Sequence, residues 1–309
     1  MKIGVTGANG FVGTALCRRL ARSGHEVVKL VRHGGQPGAV AVGDIGPETD
    51  WSLGLEGCDL LVHLAARVHV MRERALNPQA EFDRVNFQGA AHLARAAVRA
   101  GVRRLVLMST VKVHGERTDV GRPFRETDKP SPRGPYAVSK LAGELALQEA
   151  CAGGPMEWVI IRPPLIYGPG VRANFAVLAR AATLGLPLPL GAIENHRSMV
   201  SVTNLVDFVM CCLTHPLAAN QHFLVSDDHD LSTPELVQQL AMAAGKVARL
   251  FSVPAPLMQF TAAMIGKSEA FSRLSDNLQV DIGKASSILG WRPEVSVYEG
   301  LQYLNEATQ

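Results

Sequence analysis

Short β-branched runs alternate with longer amphipathic runs along the first half of the chain. "KIGVTG" (2–7) reads as a strand, and "FVGTALCRRLARSG" (11–24) as an amphipathic helix that stops at Gly24. The pattern then predicts strands in "EVVKLV" (26–31) and "AVAVGDI" (39–45), a short helix near Trp51, and a strand in "CDLLVHLAA" (58–66). A long helix is expected from about Gln79 to Ala100, ended by Gly101, and then a strand in "RRLVLMS" (103–109). A helix from Pro135 to about Glu149 has proline in its first turn, where the missing N–H costs nothing, and "EWVIIRP" (157–163) is another strand. Nearly continuous apolar strands between helices imply a parallel sheet covered on both faces, an α/β doubly wound, Rossmann-like fold.

After "IRPPLIYGPG" (161–170) the alternation loosens. Helices near Ala173–Leu184 and Pro234–Ala244 stand between proline-rich turns, "GLPLPLG" (185–191) and "VPAP" (253–256), before a final "ILGWRPEVSVYEGLQYL" (288–304). This predicts a dinucleotide-binding domain over 1–165 and a smaller α-rich, mainly substrate-binding region over 166–309. "RSMVSV" (197–202) and "QHFLVS" (221–226) are strand-like and fit either the sheet or the cap.

The chain has 309 residues, 47% apolar and 19% charged, with a formal charge of +3, ordinary values for one or two globular units. The charge is too weak and scattered for a nucleic-acid surface. Cys17, Cys58, Cys151, Cys211 and Cys212 are odd in number and lack C-x-x-C spacing, which predicts free thiols in a reducing compartment. The start, "MKIGVTGANG", enters a strand without an apolar leader, and "VPAPLMQFTAAMIG" (253–266) falls short of the ~20 apolar residues of a membrane span. A cytoplasmic protein without a span is expected. No group of His, Cys, Asp and Glu has metal-ligand spacing.

"VTGANGFVG" places Gly7, Gly10 and Gly13 between the first strand and the first helix. Glycines there permit a tight turn, close approach of a pyrophosphate and close packing of helix on strand, while the helix N-terminus stabilises the negative charge. The second strand ends in Val31-Arg32-His33 with no carboxylate for a ribose 2′-hydroxyl. An arginine there suits a 2′-phosphate, so NADP(H) is favoured over NAD(H). Phe11, Val12, Asp44, Ile45, Ala65, Ala66 and Pro163 complete the expected cofactor surface.

"PYAVSK" puts Tyr136 and Lys140 four residues apart on one helix face. An ammonium beside a phenol favours the phenolate, a competent general base for a secondary alcohol. A hydroxyl-bearing strand end, "MSTVKVHG" (108–115), precedes this pair.

Together "TGANGFVG", "HLAA", "VNFQGA", "PYAVSK", "IRPPLIYGPG" and the late Gly290-Trp291/Pro293 element resemble the extended short-chain dehydrogenases/reductases of the nucleotide-sugar epimerase/dehydratase family, from Met1 to about Tyr303. The resemblance implies that Thr110, five positions before Gly115, hydrogen-bonds the reacting sugar oxygen, with His114 in place of the family's usual tyrosine. It implies that Tyr136 exchanges the proton, that Lys140 holds the nicotinamide ribose and tunes Tyr136, and that Asn86 supports its helix near the site. Family 4,6-dehydratases carry Asp-Glu after the threonine; Val111-Lys112 stand here, which excludes that chemistry. Hydride transfer at sugar C4 remains. The stretches "STVKVHGE" and "NHRSMVSV" are most similar to a subgroup of polysaccharide (O-antigen) sugar biosynthesis. That likeness implies reduction of a UDP-4-keto-6-deoxy-N-acetylhexosamine, with UDP-hexose or UDP-N-acetylhexosamine 4-epimerisation as the alternative. A non-catalytic NADP-binding scaffold is disfavoured by the intact tyrosine and lysine, and a lipid-linked substrate is permitted by the apolar pattern after Val253 without being required.

On the substrate side the resemblance implies diphosphate contacts from Asn174 and Arg197, a uracil turn at "LPLPLG" including Leu190, and Lys112 beside the sugar. A homodimer through the long helices is expected by the same likeness. Arg67, His69, Arg72 and Arg74 fit either the sugar entrance or, the preferred reading, the solvated face of a loop, and His63 reads as a core histidine with its hydrogen bonds satisfied.

Overall fold

The computed structural model describes residues 1–35, 38–68, 76–171, 173–264 and 266–306. Its first part runs β1 (Lys2–Thr6), α1 (Phe11–Arg22), β2 (Glu26–Val31), β3 (Ala39–Ala41), α2 (Ser52–Leu55), β4 (Leu60–His63) and α3 (Pro78–Phe82). A π-helical turn, Asp83–Gly89, joins α3 to α4 (Ala90–Arg99). Next come β5 (Arg104–Met108), a 3-10 turn (Val111–Val113), α5 (Gly134–Cys151) and β6 (Glu157–Arg162). The remainder comprises β7 (Leu165–Tyr167), α6 (Ala173–Thr183), β8 (Pro187–Leu188), β9 (Met199–Ser201), α7 (Val202–Thr214), β10 (Gln221–Leu224), α8 (Thr233–Ala243), β11 (Arg249–Leu250), α9 (Ala255–Met264), α10 (Ser268–Ser275), α11 (Gly283–Leu289) and α12 (Val297–Glu306).

Seven parallel strands form one sheet in the order β10-β6-β5-β4-β1-β2-β3. The central strands β1, β4 and β5 are almost wholly buried because both faces of the sheet are covered, and successive side chains go to opposite faces. Val106 and Met108 of β5, with Val159 and Ile161 of β6, pack with Leu16 and Leu20 of α1 and Phe208 and Val209 of α7. Leu105, Leu107 and Ile160 pack on the other side with Leu93 and Ala97 of α4 and Leu147 of α5. A third core gathers Tyr167, Phe175, Leu190, Leu236, Leu240 and Leu301 from the later elements.

Of the two ambiguous segments, Gln221–Leu224 joins the main sheet beside β6, and Met199–Ser201 pairs with β7 in a separate two-stranded sheet. The helix expected over 79–100 is instead interrupted by the π turn, which lets Gly143 of α5 approach the chain so closely that a Cβ there would lie 2.3 Å from the Asn86 carbonyl oxygen. Among the described residues no helix is long and apolar enough to cross a membrane.

The chain leaves β1 toward β2 and β3 on one side, then returns to β4 on the other. That reversal opens a crevice at the carboxyl ends of β1 and β4, where doubly wound sheets bind ligands. Thr6-Gly7, His63-Ala65, Met108-Thr110 and Arg162-Pro163 all reach this edge of the sheet.

Candidate active site

At the carboxyl end of β1, Gly7 adopts φ +67°, and a Cβ there would stand 2.9 Å from the Ala65 backbone nitrogen. Gly10 donates its N–H to the Gly7 carbonyl at 2.9 Å, and a Cβ on Gly13 would lie 2.1 Å from that same oxygen. Gly10 places no side-chain cap at the start of α1, whose first N–H groups, those of Phe11, Val12 and Gly13, have no partner within the helix. Donors of this kind, with no side chain between them and a ligand, fit a dinucleotide pyrophosphate. Ala65 and Ala66 continue β4 beside this loop.

Arg32 and Asp44 sit at the far end of the crevice and meet each other: Arg32 Nε lies 2.8 Å from Asp44 Oδ1, both side chains well exposed. By sequence Arg32 suits a 2′-phosphate. The structure gives it a carboxylate partner twelve residues on, and that carboxylate would face an incoming phosphate with like charge. The basis for expecting NADP(H) is thereby removed. Beside Asp44, Ile45 packs against Gly89 of the π turn.

Thr110, Tyr136 and Lys140 come together where β5 ends. Thr110 caps the 3-10 turn, its hydroxyl accepting from the Lys112 N–H at 3.3 Å, and the Val111 N–H donates to the Pro163 carbonyl at 2.9 Å. Val111 is thus core, and the Lys112 ammonium pairs with Glu116 at 2.7 Å, so neither position offers a carboxylic acid. Tyr136 enters from the first turn of α5 with Phe82 edge-on to its ring. Burial pushes the Tyr136 phenol up to about 12, and Thr110 is the neighbour that favours its ionised form. One helical turn on, Lys140 is fully enclosed; burial brings it down to about 8 while the Glu144 carboxylate holds it up. Its ammonium donates to the Met108 carbonyl at 2.6 Å. The expected depression of the Tyr136 pKa by Lys140 is not the dominant effect here, because the ammonium is bonded to that strand end and desolvation of the phenol prevails.

Two charged groups that the sequence does not mark as site residues, Glu144 and Arg162, lie directly behind this set. Glu144 accepts two bonds from Arg162, at 3.1 Å from Nε and 2.6 Å from Nη2, and one from the Ser109 hydroxyl. Arg162 Nη1 also donates to His114 Nε2 at 2.9 Å. Two signals in the sequence point to them: Glu144 repeats the four-residue spacing of Tyr136 and Lys140, and Arg162 is a charge closing an otherwise apolar strand.

Thr110, Lys112, Tyr136, Asn174, Leu190 and Arg197 line one cavity of about 1870 Å³ between the sheet edge and the later helices. Arg197 donates to the Asp276 carbonyl at 2.7 Å and feels the Asp276 and Glu116 carboxylates. The glycine loop, Arg32 and Asp44 lie outside this cavity, and Lys140 lies beneath its wall. Asn86, 3% exposed, bonds both the N–H and the carbonyl of Arg67 and donates to Ser139 of α5 at 3.0 Å. His63 is buried and meets Thr6 Oγ1 at 2.7 Å. His69, Arg72 and Arg74 fall outside the described residues. Among the described residues no group of His, Cys, Asp and Glu has the arrangement of a metal site, and the five cysteines are free thiols.

Comparison with known proteins bears on this geometry. A profile described as the NAD dependent epimerase/dehydratase family matches residues 3–226. The chain is 42% identical over 308 residues to a UDP-glucose 4-epimerase of Vibrio cholerae, covering 98% of this chain and 94% of that one. It is 30% identical over 323 residues to a UDP-glucose 4-epimerase of Mycolicibacterium smegmatis, covering 97% and 96%. Among solved structures, MoeE5 in complex with UDP-glucuronic acid and NAD matches with a TM-score of 0.80 at 26% identity, over 100% of this chain and 99% of that one.

Proposed function

The chain belongs to the NAD dependent epimerase/dehydratase family, and from that footing we propose that it interconverts the C4 epimers of a UDP-hexose with NAD retained through the cycle. The observation that carries this reading is the 42% identity, over nearly the full length of both chains, to a UDP-glucose 4-epimerase. The Arg32–Asp44 pair supports NAD over NADP, and with it epimerisation over one-way ketoreduction. A ketoreductase must exchange its reduced cofactor at each turnover, whereas an epimerase recovers its own.

NAD, when bound, accepts a hydride from sugar C4 and later gives it back. In this reading Tyr136 removes the proton from the C4 hydroxyl and returns it at the end, and Thr110 holds the same oxygen by a hydrogen bond. Thr110 is the neighbour that favours the Tyr136 phenolate, and Lys140 meets the nicotinamide ribose. Gly7, Gly10 and Gly13, with the N–H groups of Phe11 and Val12, take the pyrophosphate, and Asp44 takes the adenosine end. Arg197 and Asn174 hold the diphosphate of the substrate, Arg197 through its planar fork. Return of the hydride to the opposite face requires the sugar to turn over between the two transfers, and the roomy cavity beside Thr110 and Tyr136 accommodates that movement.

Incubation with UDP-galactose and, separately, with UDP-N-acetylgalactosamine tests the reading. Appearance of the C4 epimer with a catalytic amount of NAD is expected for one of them. Conversion only of a UDP-4-keto-6-deoxy sugar, with stoichiometric consumption of NADPH, would establish the reductase instead.

A further inference from the structure

Ser109, Glu144, Arg162 and His114 form a continuous polar chain under the floor of the active site, each at most 5% exposed. Glu144 and Lys140 lie on successive turns of one face of α5 and grip adjacent residues of one strand end. Lys140 donates to the Met108 carbonyl, and Glu144 accepts from the Ser109 hydroxyl. Thr110 is the next residue. The helix that carries Tyr136 is therefore fastened to the strand that carries Thr110 at two consecutive positions. A buried ion pair is a poor source of net stability compared with apolar side chains of the same size. What this pair does supply is a fixed carboxylate one helical turn from an enclosed lysine.

We propose that Glu144, clamped by Arg162 and Ser109 one helical turn from Lys140, is a positioning residue of the active site that holds α5 and its lysine in register with the strand end that bears Thr110. The groups that face Lys140 make Glu144 the one carboxylate among the charged neighbours in this set. Tyr136 and Glu144 share its helix, the Met108 carbonyl and Ser109 come from β5, His63 comes from β4, and Arg162 of β6 stands behind Glu144. Burial alone drives Lys140 toward its neutral form and Glu144 opposes it, so loss of the carboxylate releases the proton at lower pH.

The inference rests on the reading of Lys140 as a ligand of the nicotinamide ribose, and NAD affinity measured by calorimetry from pH 6 to 10 tests it without a sugar substrate. In the wild type, affinity is expected to weaken above about pH 8, where Lys140 loses its proton. In Glu144→Gln the same weakening should begin about 0.7 to 1 pH unit lower, with NAD bound some threefold to fivefold less tightly than wild type at pH 8 and nearly equally at pH 6. If Glu144→Gln melts below the assay temperature, Glu144→Gln combined with Arg162→Met takes its place, with a shift in the same direction expected but smaller, because the Arg162 cation is removed as well. An unmoved pH limb in whichever variant folds overturns the proposal. Lys140→Met separates the two ideas: affinity should be weaker and lack the limb. If Lys140→Met behaves as wild type, the reading of Lys140 falls and takes this inference with it; if it loses the limb while the Glu144 variant keeps it, this inference alone falls.

Discussion

Arg32 and Asp44 form an ion pair of 2.8 Å between the end of β2 and the loop after β3. The pair is exposed and contributes little to stability. Its importance is electrostatic: the cation that would recognise a 2′-phosphate carries a carboxylate beside it. NAD is therefore expected to bind more tightly than NADP, and Asp44→Asn should raise NADP affinity by about tenfold or more, the equivalent of ~1.4 kcal/mol of relieved repulsion. Fluorescence titration with both reduced cofactors checks this. Unchanged NADP affinity in Asp44→Asn would return the pair to a surface feature.

Tyr136→Phe removes the hydroxyl to which the proposed mechanism gives the proton exchange, and keeps the ring that packs against Phe82. The variant should lose about 10²–10⁴-fold in kcat. Its NAD affinity should stay within a factor of two or so of wild type, because the glycine loop is untouched. Retention of most of the activity contradicts the assigned role.

His63 and His114 are buried and neutral, brought down to about 3 and about 4, in each case mainly by desolvation. The unfolded chain protonates both near their ordinary value of about 6.5. Below that pH the unfolded state binds more protons than the folded one, so stability falls with acid across the window from about 6.5 toward 4. The urea midpoint should decline steadily from pH 7 to pH 5, and His63→Asn should reduce that slope. A midpoint constant over this range would contradict the burial of both imidazoles.

Gly143 faces the Asn86 carbonyl so closely that alanine has no room. Because the obstacle is backbone in the π turn, Gly143→Ala should cost about 1–3 kcal/mol. A lower melting temperature, together with weaker NAD binding as α5 is pushed off the site, is the expected result of a thermal scan with and without cofactor. An unchanged melting temperature would show that the helices separate freely.

Much of this was legible in the sequence because it is local. The glycine loop, the strands before β6 and the Tyr136/Lys140 spacing are set by periods of two and 3.6 residues and by turn chemistry within a few positions. The π turn was not legible, since 79–100 has the apolar spacing of one uninterrupted helix, and its break comes from the packing of Asn86 and Gly143. Arg32 was noticed, but its partner Asp44 is brought close only when β3 pairs with β2. The chain from Ser109 through Glu144 and Arg162 to His114 joins residues 35, 18 and 48 positions apart, each across a different element boundary. Local pattern names such residues as oddities, a buried acid and a strand arginine, and tertiary packing makes them a network.

The central claim is that one enzyme-held NAD removes and restores the hydride at sugar C4. UDP-galactose deuterated at C4, incubated with catalytic NAD in the presence of a large excess of unlabelled NADH, tests it most directly by mass spectrometry of the product. The account predicts UDP-glucose that keeps the deuterium at C4, with no net change in NADH. A product whose deuterium has passed into the NADH pool, or no epimer from either UDP-galactose or UDP-N-acetylgalactosamine, would contradict it.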